Sequence, residues 1–158
     1  MDPASAFQQH CATDRGGDTL YLPNWSAEDW RRLFGHTESV SVSSGDVLIR
    51  HGERERALYF VISGALEVTG RTSSSDTLGR LFREQPGSVI GEIALFDGLP
   101  RTATVWATET TVLLRLDYEQ LQGFIAEFPM LGNGLLFALG RVLAFRLRRS
   151  SERDLHNH

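Results

Sequence analysis

Hydrophobic and polar positions change their period twice along the chain. Residues 1–21 are polar and glycine-containing with no sustained period, and are expected to form a flexible N-terminal arm. A short helix is predicted to start at Ser26-Ala27-Glu28-Asp29. There Ser26 can accept a hydrogen bond from the amide three residues on, and the acids suit the positive helix end. Trp30, Leu33 and Phe34 give this helix an apolar side. From Ser39 to Leu116 the pattern shifts to short strand-like runs between turn residues. Val40 and Val42 alternate with serines, Ser44-Gly45-Asp46 turns into Val47-Leu48-Ile49, and Ala57 to Ile62 is rich in β-branched and aromatic residues. Ser63-Gly64 leads into Ala65 to Thr69, Ser73 to Asp76 makes a hairpin tip before Leu78 to Phe82, and Pro86-Gly87 fits the centre of a type II turn. Thr102 to Ala107 and Val112 to Leu116 complete the set. Many short, evenly spaced strands predict a sandwich or barrel-like roll, read here as an antiparallel β-roll with helices at both ends.

The last third is helical in period. Asp117-Tyr118-Glu119-Gln120 reads as a capping-box start, and Tyr118, Leu121, Ile125 and Phe128 follow the helical repeat. Pro129 breaks that helix and can open another, whose stripe runs through Leu131, Leu135, Leu139, Val142 and Leu143. Gly132, Gly134 and Gly140 each cost about 1 kcal/mol relative to alanine in a helix. Asn133-Gly134 therefore reads either as a bend between lid helices or as a place where two helices approach closely, as in a homodimer through the C-terminal helix. The apolar run Leu135 to Leu147 is interrupted by Arg141 and Arg146 and is too short to span a bilayer, so no membrane span is expected.

Composition bounds the class. The chain has 158 residues, 16 basic and 20 acidic side chains, a formal charge of −4 and one cysteine. That length suits one hydrophobic core without a metal or disulfide staple. A mild acidic excess argues against a general nucleic-acid binder. The start, Met1-Asp2-Pro3-Ala4-Ser5, has no secretory pattern, and Cys11 has no internal partner and falls in the polar arm; a cytoplasmic setting is expected. All sixteen basic residues are arginine. That choice changes the picture only where a planar donor fork is needed.

One such place is Gly91-Glu92-Ile93-Ala94-Leu95-Phe96-Asp97-Gly98-Leu99-Pro100-Arg101-Thr102-Ala103. Gly91 permits close backbone approach, and the residues after it can form a single helical turn whose amides favour an anion. Arg101 offers two parallel donors to phosphate oxygens, while Glu92 is an acceptor suited to a ribose hydroxyl.

This stretch resembles the phosphate-binding cassette of the cyclic nucleotide-binding domain family, which includes catabolite activator proteins, kinase regulatory subunits and several channels. Gly45-Asp46-Val47-Leu48-Ile49, Gly52-Glu53, Leu58 to Gly64, and Pro86-Gly87 before Ile90-Gly91-Glu92 are similar to the family's strand and glycine spacing. The resemblance implies that Arg101 binds the cyclic phosphate, with Gly91, Ile93, Ala94 and Thr102 completing the cradle, and that Glu92 binds the ribose 2′-hydroxyl. It further implies base or lid contacts from Thr102 and from the C-terminal candidates Phe145, Arg146, Ser150 and Ser151. The ligand implied is cAMP or cGMP, with no cofactor and no metal.

On this reading residues 22–149 form the cyclic nucleotide-binding domain of a bacterial regulatory protein, and residues 150–158 a C-terminal tail. A helix-turn-helix segment, as in the transcription factors of the family, does not follow Arg149, so direct DNA binding is not expected. The output is expected from an effector protein or from a parent protein's output domain, through repacking of the C-terminal helices. Two other readings compete. A metal-dependent cupin-type enzyme needs clustered inward histidines, but His10, His36 and His51 are scattered. A degenerate, ligand-free roll could serve as an interaction or dimerisation module, although it would have no need of the Glu92/Arg101 pair.

Overall fold

The computed structural model of the chain describes residues 2–17, 19–69 and 81–156. The chain forms two compact units, Thr37–Gln120 and a second built from Met1–His36 with Leu121–His158.

The first unit is the β-roll that the alternating strands predict. Strand β1 (Glu38–Val42), β8 (Thr111–Asp117), β3 (Ala57–Ser63) and β6 (Val89–Ile90) form one sheet in that order. Strand β2 (Val47–Ile49), β7 (Val105–Ala107), β4 (Leu66–Thr69) and β5 (Leu81–Glu84) form the other. Antiparallel pairing of β1 with β8, β2 with β7, β3 with β6 and β4 with β5 is that of a long two-stranded ribbon wound on itself. The core between the sheets draws Tyr59, Val61, Ile90 and Leu113 from one and Ile49, Leu66, Val105 and Ala107 from the other. Each large aliphatic or aromatic side chain so buried stabilises the roll by about 1.5–3 kcal/mol. Gln85-Pro86-Gly87-Ser88 closes as expected, with the Ser88 amide donating to the Gln85 carbonyl at 3.0 Å and Gly87 at φ +95°. The seventh strand begins at Val105 instead of Thr102, because residues 101–104 are held in the turn that carries Arg101. The expected hairpin tip at Ser73 to Asp76 lies outside the described residues.

In the helical unit, α2 (Ala27–Phe34) has the predicted cap in reciprocal form. The Asp29 amide donates to Ser26 Oγ at 3.2 Å and the Ser26 amide to Asp29 Oδ2 at 2.9 Å, a cap worth about 1 kcal/mol. Asp117 and Gln120 cap α4 (Tyr118–Glu127) in the same way. Helix α5 runs from Pro129 to His156. Phe7, Trp25, Trp30, Phe34 and Phe124 form an aromatic cluster with ring centroids 4.8–6.3 Å apart.

Four expectations are corrected. The arm at residues 1–21 is not loose: α1 (Pro3–Cys11) is capped by Asp2 and opened by Pro3, and it buries Ala4, Phe7 and Cys11, spaced by three and four. Cys11 is therefore buried within this helix and not part of a loose arm. Asn133-Gly134 do not separate two helices, since both lie inside the single helix α5. Glycine is needed at 132 because a Cβ there would strike Ile125 of α4, so the close approach is within the chain. The supposed tail from residue 150 is helical to His156, which places Ser150 and Ser151 within α5. Finally, the apolar segment is longer than its central run suggests. Pro129–Ser151 is long and apolar enough by length and composition to cross a membrane. Leu135, Ala138, Leu139 and Val142 are buried and Arg141 pairs with Asp14 at 2.7 Å, so part of the helix serves as a core element of its unit.

Candidate functional site

The candidate site is built where β6 ends. Gly91 turns the chain at φ +83°, a left-handed conformation that costs an L-residue roughly 1–2 kcal/mol, and opens α3 (Glu92–Asp97). A Cβ on Gly91 would also meet Arg101 Nη1 at 2.5 Å. Gly98 ends the helix at φ +68°, its amide donating to the Ala94 carbonyl at 2.9 Å. The chain then returns through Arg101, whose backbone is pinned on both sides. Its amide donates to the Glu53 carbonyl and its carbonyl accepts from the Gly52 amide, each at 2.8 Å.

The Arg101 side chain is only 3% exposed. Nη1 donates to the Gly91 carbonyl at 3.0 Å, and Nη2 donates to the Ala57 carbonyl at 2.8 Å and to Glu55 Oε1 at 2.7 Å. Its Nε is buried without a hydrogen-bond partner. A buried charged donor left in that state ordinarily costs stability unless an acceptor arrives. Both terminal nitrogens are thus committed to the fold, and the buried Nε is the one guanidinium nitrogen without an acceptor.

The roll brings together the cassette residues expected from the sequence. Glu92 is buried at 3% exposure, Ala94 is buried, and Ile93 and Thr102 are exposed on either side of the turn. Phe145, Arg146, Ser150 and Ser151 lie on α5 of the helical unit; Phe145 and both serines are exposed and Arg146 is half-buried.

Sequence reasoning missed the support around the arginine. Glu55 accepts from Arg101, from Tyr59 Oη at 2.9 and 3.0 Å, and from Arg115 Nε at 3.3 Å. Burial alone would raise the Glu55 carboxyl, but hydrogen bonds from Arg101 and Tyr59 and the charges of Arg101 and Arg115 outweigh it and hold it below its ordinary value. Burial, then the Glu55 charge and hydrogen bond, push the Tyr59 phenol up to about 12. Arg56 clamps the far end of α3 through the Leu95 and Phe96 carbonyls, each at 2.9 Å, and stacks over Tyr118 at 3.8 Å. Within Glu53-Arg54-Glu55-Arg56 these two residues carry no signal that separates them from a solvated charged loop.

A β-roll with a glycine-opened helical turn and a buried arginine facing it defines a structural class of domain. Within that class, residues 39–128 match the family described as cyclic nucleotide-binding domain, and the chain belongs to that family. It is 31% identical over 114 residues to a CRP-like cAMP-activated global transcriptional regulator of Mycobacterium tuberculosis, covering 72% of this chain and 49% of the regulator. The chain spans half or less of the length of such curated relatives. Its fold is similar to a cyclic nucleotide-binding domain from Methylobacillus flagellatus, with TM-score 0.78, 23% identity, and coverage of 98% and 84% of the two chains. It is also similar to the catabolite activator protein of Thermus thermophilus, with TM-score 0.70, 26% identity, and coverage of 85% and 61%.

Proposed function

We propose that this chain is a cAMP sensor, with cGMP as the alternative ligand, acting as a non-catalytic regulatory module in the cytoplasm. The cyclic phosphate sits against Arg101 and the backbone of Gly91, Ile93, Ala94 and Thr102, and Glu92 accepts the ribose 2′-hydroxyl. Phe145, Arg146, Ser150 and Ser151 supply candidate base contacts from α5, and Thr102 a further one. The observation that carries this reading is the buried Arg101 with one donor atom unsatisfied.

Nucleotide shifts the packing of the C-terminal helices by binding one arrangement more tightly than the other, which is the whole of its leverage. The output passes to an effector protein or to an output domain of a longer parent chain. A homodimer through α5 fits this scheme. Met130, Asn133, Phe137, Gly140, Ala144, Leu147 and Ser151 are all exposed at alternating spacings of three and four, the repeat that lets two helices wind together.

One observation favours a second reading: the three internal acceptors on Arg101 let it hold the roll shut without ligand. The domain would then be a ligand-free interaction or dimerisation module. Titration calorimetry with cAMP and with cGMP, at about 100 μM protein, separates the two, since a Kd near 1 μM corresponds to about −8.2 kcal/mol. Saturable heat from either nucleotide supports the sensor; heat from neither supports the module.

A further inference from the structure

Glu55 touches the arginine expected to hold phosphate, yet it plays no part in the ligand scheme drawn so far. We propose that Glu55 is a built-in counter-anion of the Arg101 site, which lowers the affinity for a phosphodiester monoanion below what Arg101 alone would provide. This inference rests on the nucleotide-sensor reading.

Three features carry it. First, Glu55 is not needed to keep Arg101 in place. Nη1 and Nη2 are held by the Gly91 and Ala57 carbonyls, and the Arg101 backbone is tied to Gly52 and Glu53. Second, the Glu55 carboxylate stays charged and close. It lies 2.7 Å from Nη2 and also collects Tyr59 Oη and Arg115 Nε, so an arriving phosphate meets an arginine whose charge is already compensated. Third, Arg115 is itself shared, at 3.3 Å from Glu55 and 3.5 Å from Asp117, so it adds no free positive charge to offset the carboxylate. A second anion brought to a neutralised pair gains less than one brought to a lone guanidinium, because it is repelled by the first.

The variant that removes the charge is Glu55→Gln. Its amide oxygen still accepts from Arg101 and Tyr59 with the shape kept, while the amide nitrogen takes the place of Oε2, so the acceptor for Arg115 Nε goes with the charge. Titrating wild type, Glu55→Gln and Glu55→Asp with cAMP and cGMP, with thermal melts of each free protein, should show Glu55→Gln binding at least about fivefold more tightly. Glu55→Asp, which keeps the charge, should stay within about twofold of wild type. Loss of a merely structural contact would weaken binding, so the direction of change reads the charge.

Wild type that binds, with Glu55→Gln equal or weaker, overturns the counter-anion role and leaves the sensor reading standing. A silent wild type with a binding Glu55→Gln supports the role in its strongest form, a self-capped site. Silence from both overturns the sensor reading and this inference with it. A Glu55→Gln chain that does not fold assigns the residue to the scaffold and also overturns the role.

Discussion

Arg101 Nη2 and Glu55 Oε1 lie 2.7 Å apart, 46 positions apart in sequence, and the pair links the loop before β3 to the end of the cassette. Arg101 is buried and Glu55 partly exposed, so removing one partner leaves the other less compensated and lowers stability. The pair therefore ties stability to the same atoms that are proposed to receive the ligand.

Acid should weaken the roll through Glu55. Its folded-state carboxyl is held below the ordinary 4.5, so unfolding takes up a proton where the two states differ. The stabilisation is complete above about pH 4.5 and is lost as pH falls through the lower folded value. Melting temperatures between pH 3 and pH 7, roughly the range where carboxylates titrate, should fall less steeply on the acid side for Glu55→Gln than for wild type. Parallel curves would show that other carboxylates set the acid limit.

Glu92 should read the ribose. Glu92→Gln is expected to reduce affinity for cAMP more than for its 2′-deoxy analogue, since only the ribonucleotide offers the hydroxyl to the carboxylate. Equal losses, measured by competition binding, would remove Glu92 from the ribose site.

Much of this arrangement is legible from local chemistry. The Ser26/Asp29 and Asp117/Gln120 caps and the Pro86-Gly87 turn each depend on neighbours within three or four positions, and each forms as the residues dictate. Gly91, Glu92 and Arg101 stand out because a turn, an acceptor and a donor fork occur together. Glu55 does not, because its role depends on Arg101 and on Arg115, 60 positions away, while its own neighbourhood is an ordinary charged run. Helix α1 is hidden for a similar reason. Ala4, Phe7 and Cys11 are too sparse to announce an apolar face until Trp30 and Phe34 supply the surface that Phe7 packs against. The glycines of α5 mislead because their helix cost is local, whereas the close approach of Ile125 to Gly132 that requires one of them is tertiary.

Cys11 should be inert in the folded protein. Burial pushes its thiol up to about 12, which leaves little thiolate at mildly alkaline pH. Alkylation by iodoacetamide at about pH 8 should be at least roughly tenfold slower in the native protein than in denaturant. Equal rates would mean that α1 opens readily.

The exposed stripe on α5 should govern self-association. Phe137, 75% exposed, lies at its middle, and Met130, 88% exposed, at its start. Phe137→Glu should convert a wild-type dimer to monomer in light scattering, because like charges would face each other across the seam. A monomeric wild type, or a dimer that survives the change, would place the contact elsewhere or remove it.

The most direct test of the central claim is the affinity of Arg101→Lys for cAMP beside that of wild type, with circular dichroism to verify the fold. Lysine keeps the charge but cannot present a planar fork to two phosphate oxygens. Affinity should drop about 10- to 100-fold, the equivalent of one lost charge-assisted hydrogen bond. A folded Arg101→Lys protein that binds as tightly as wild type would show that the phosphate is held elsewhere.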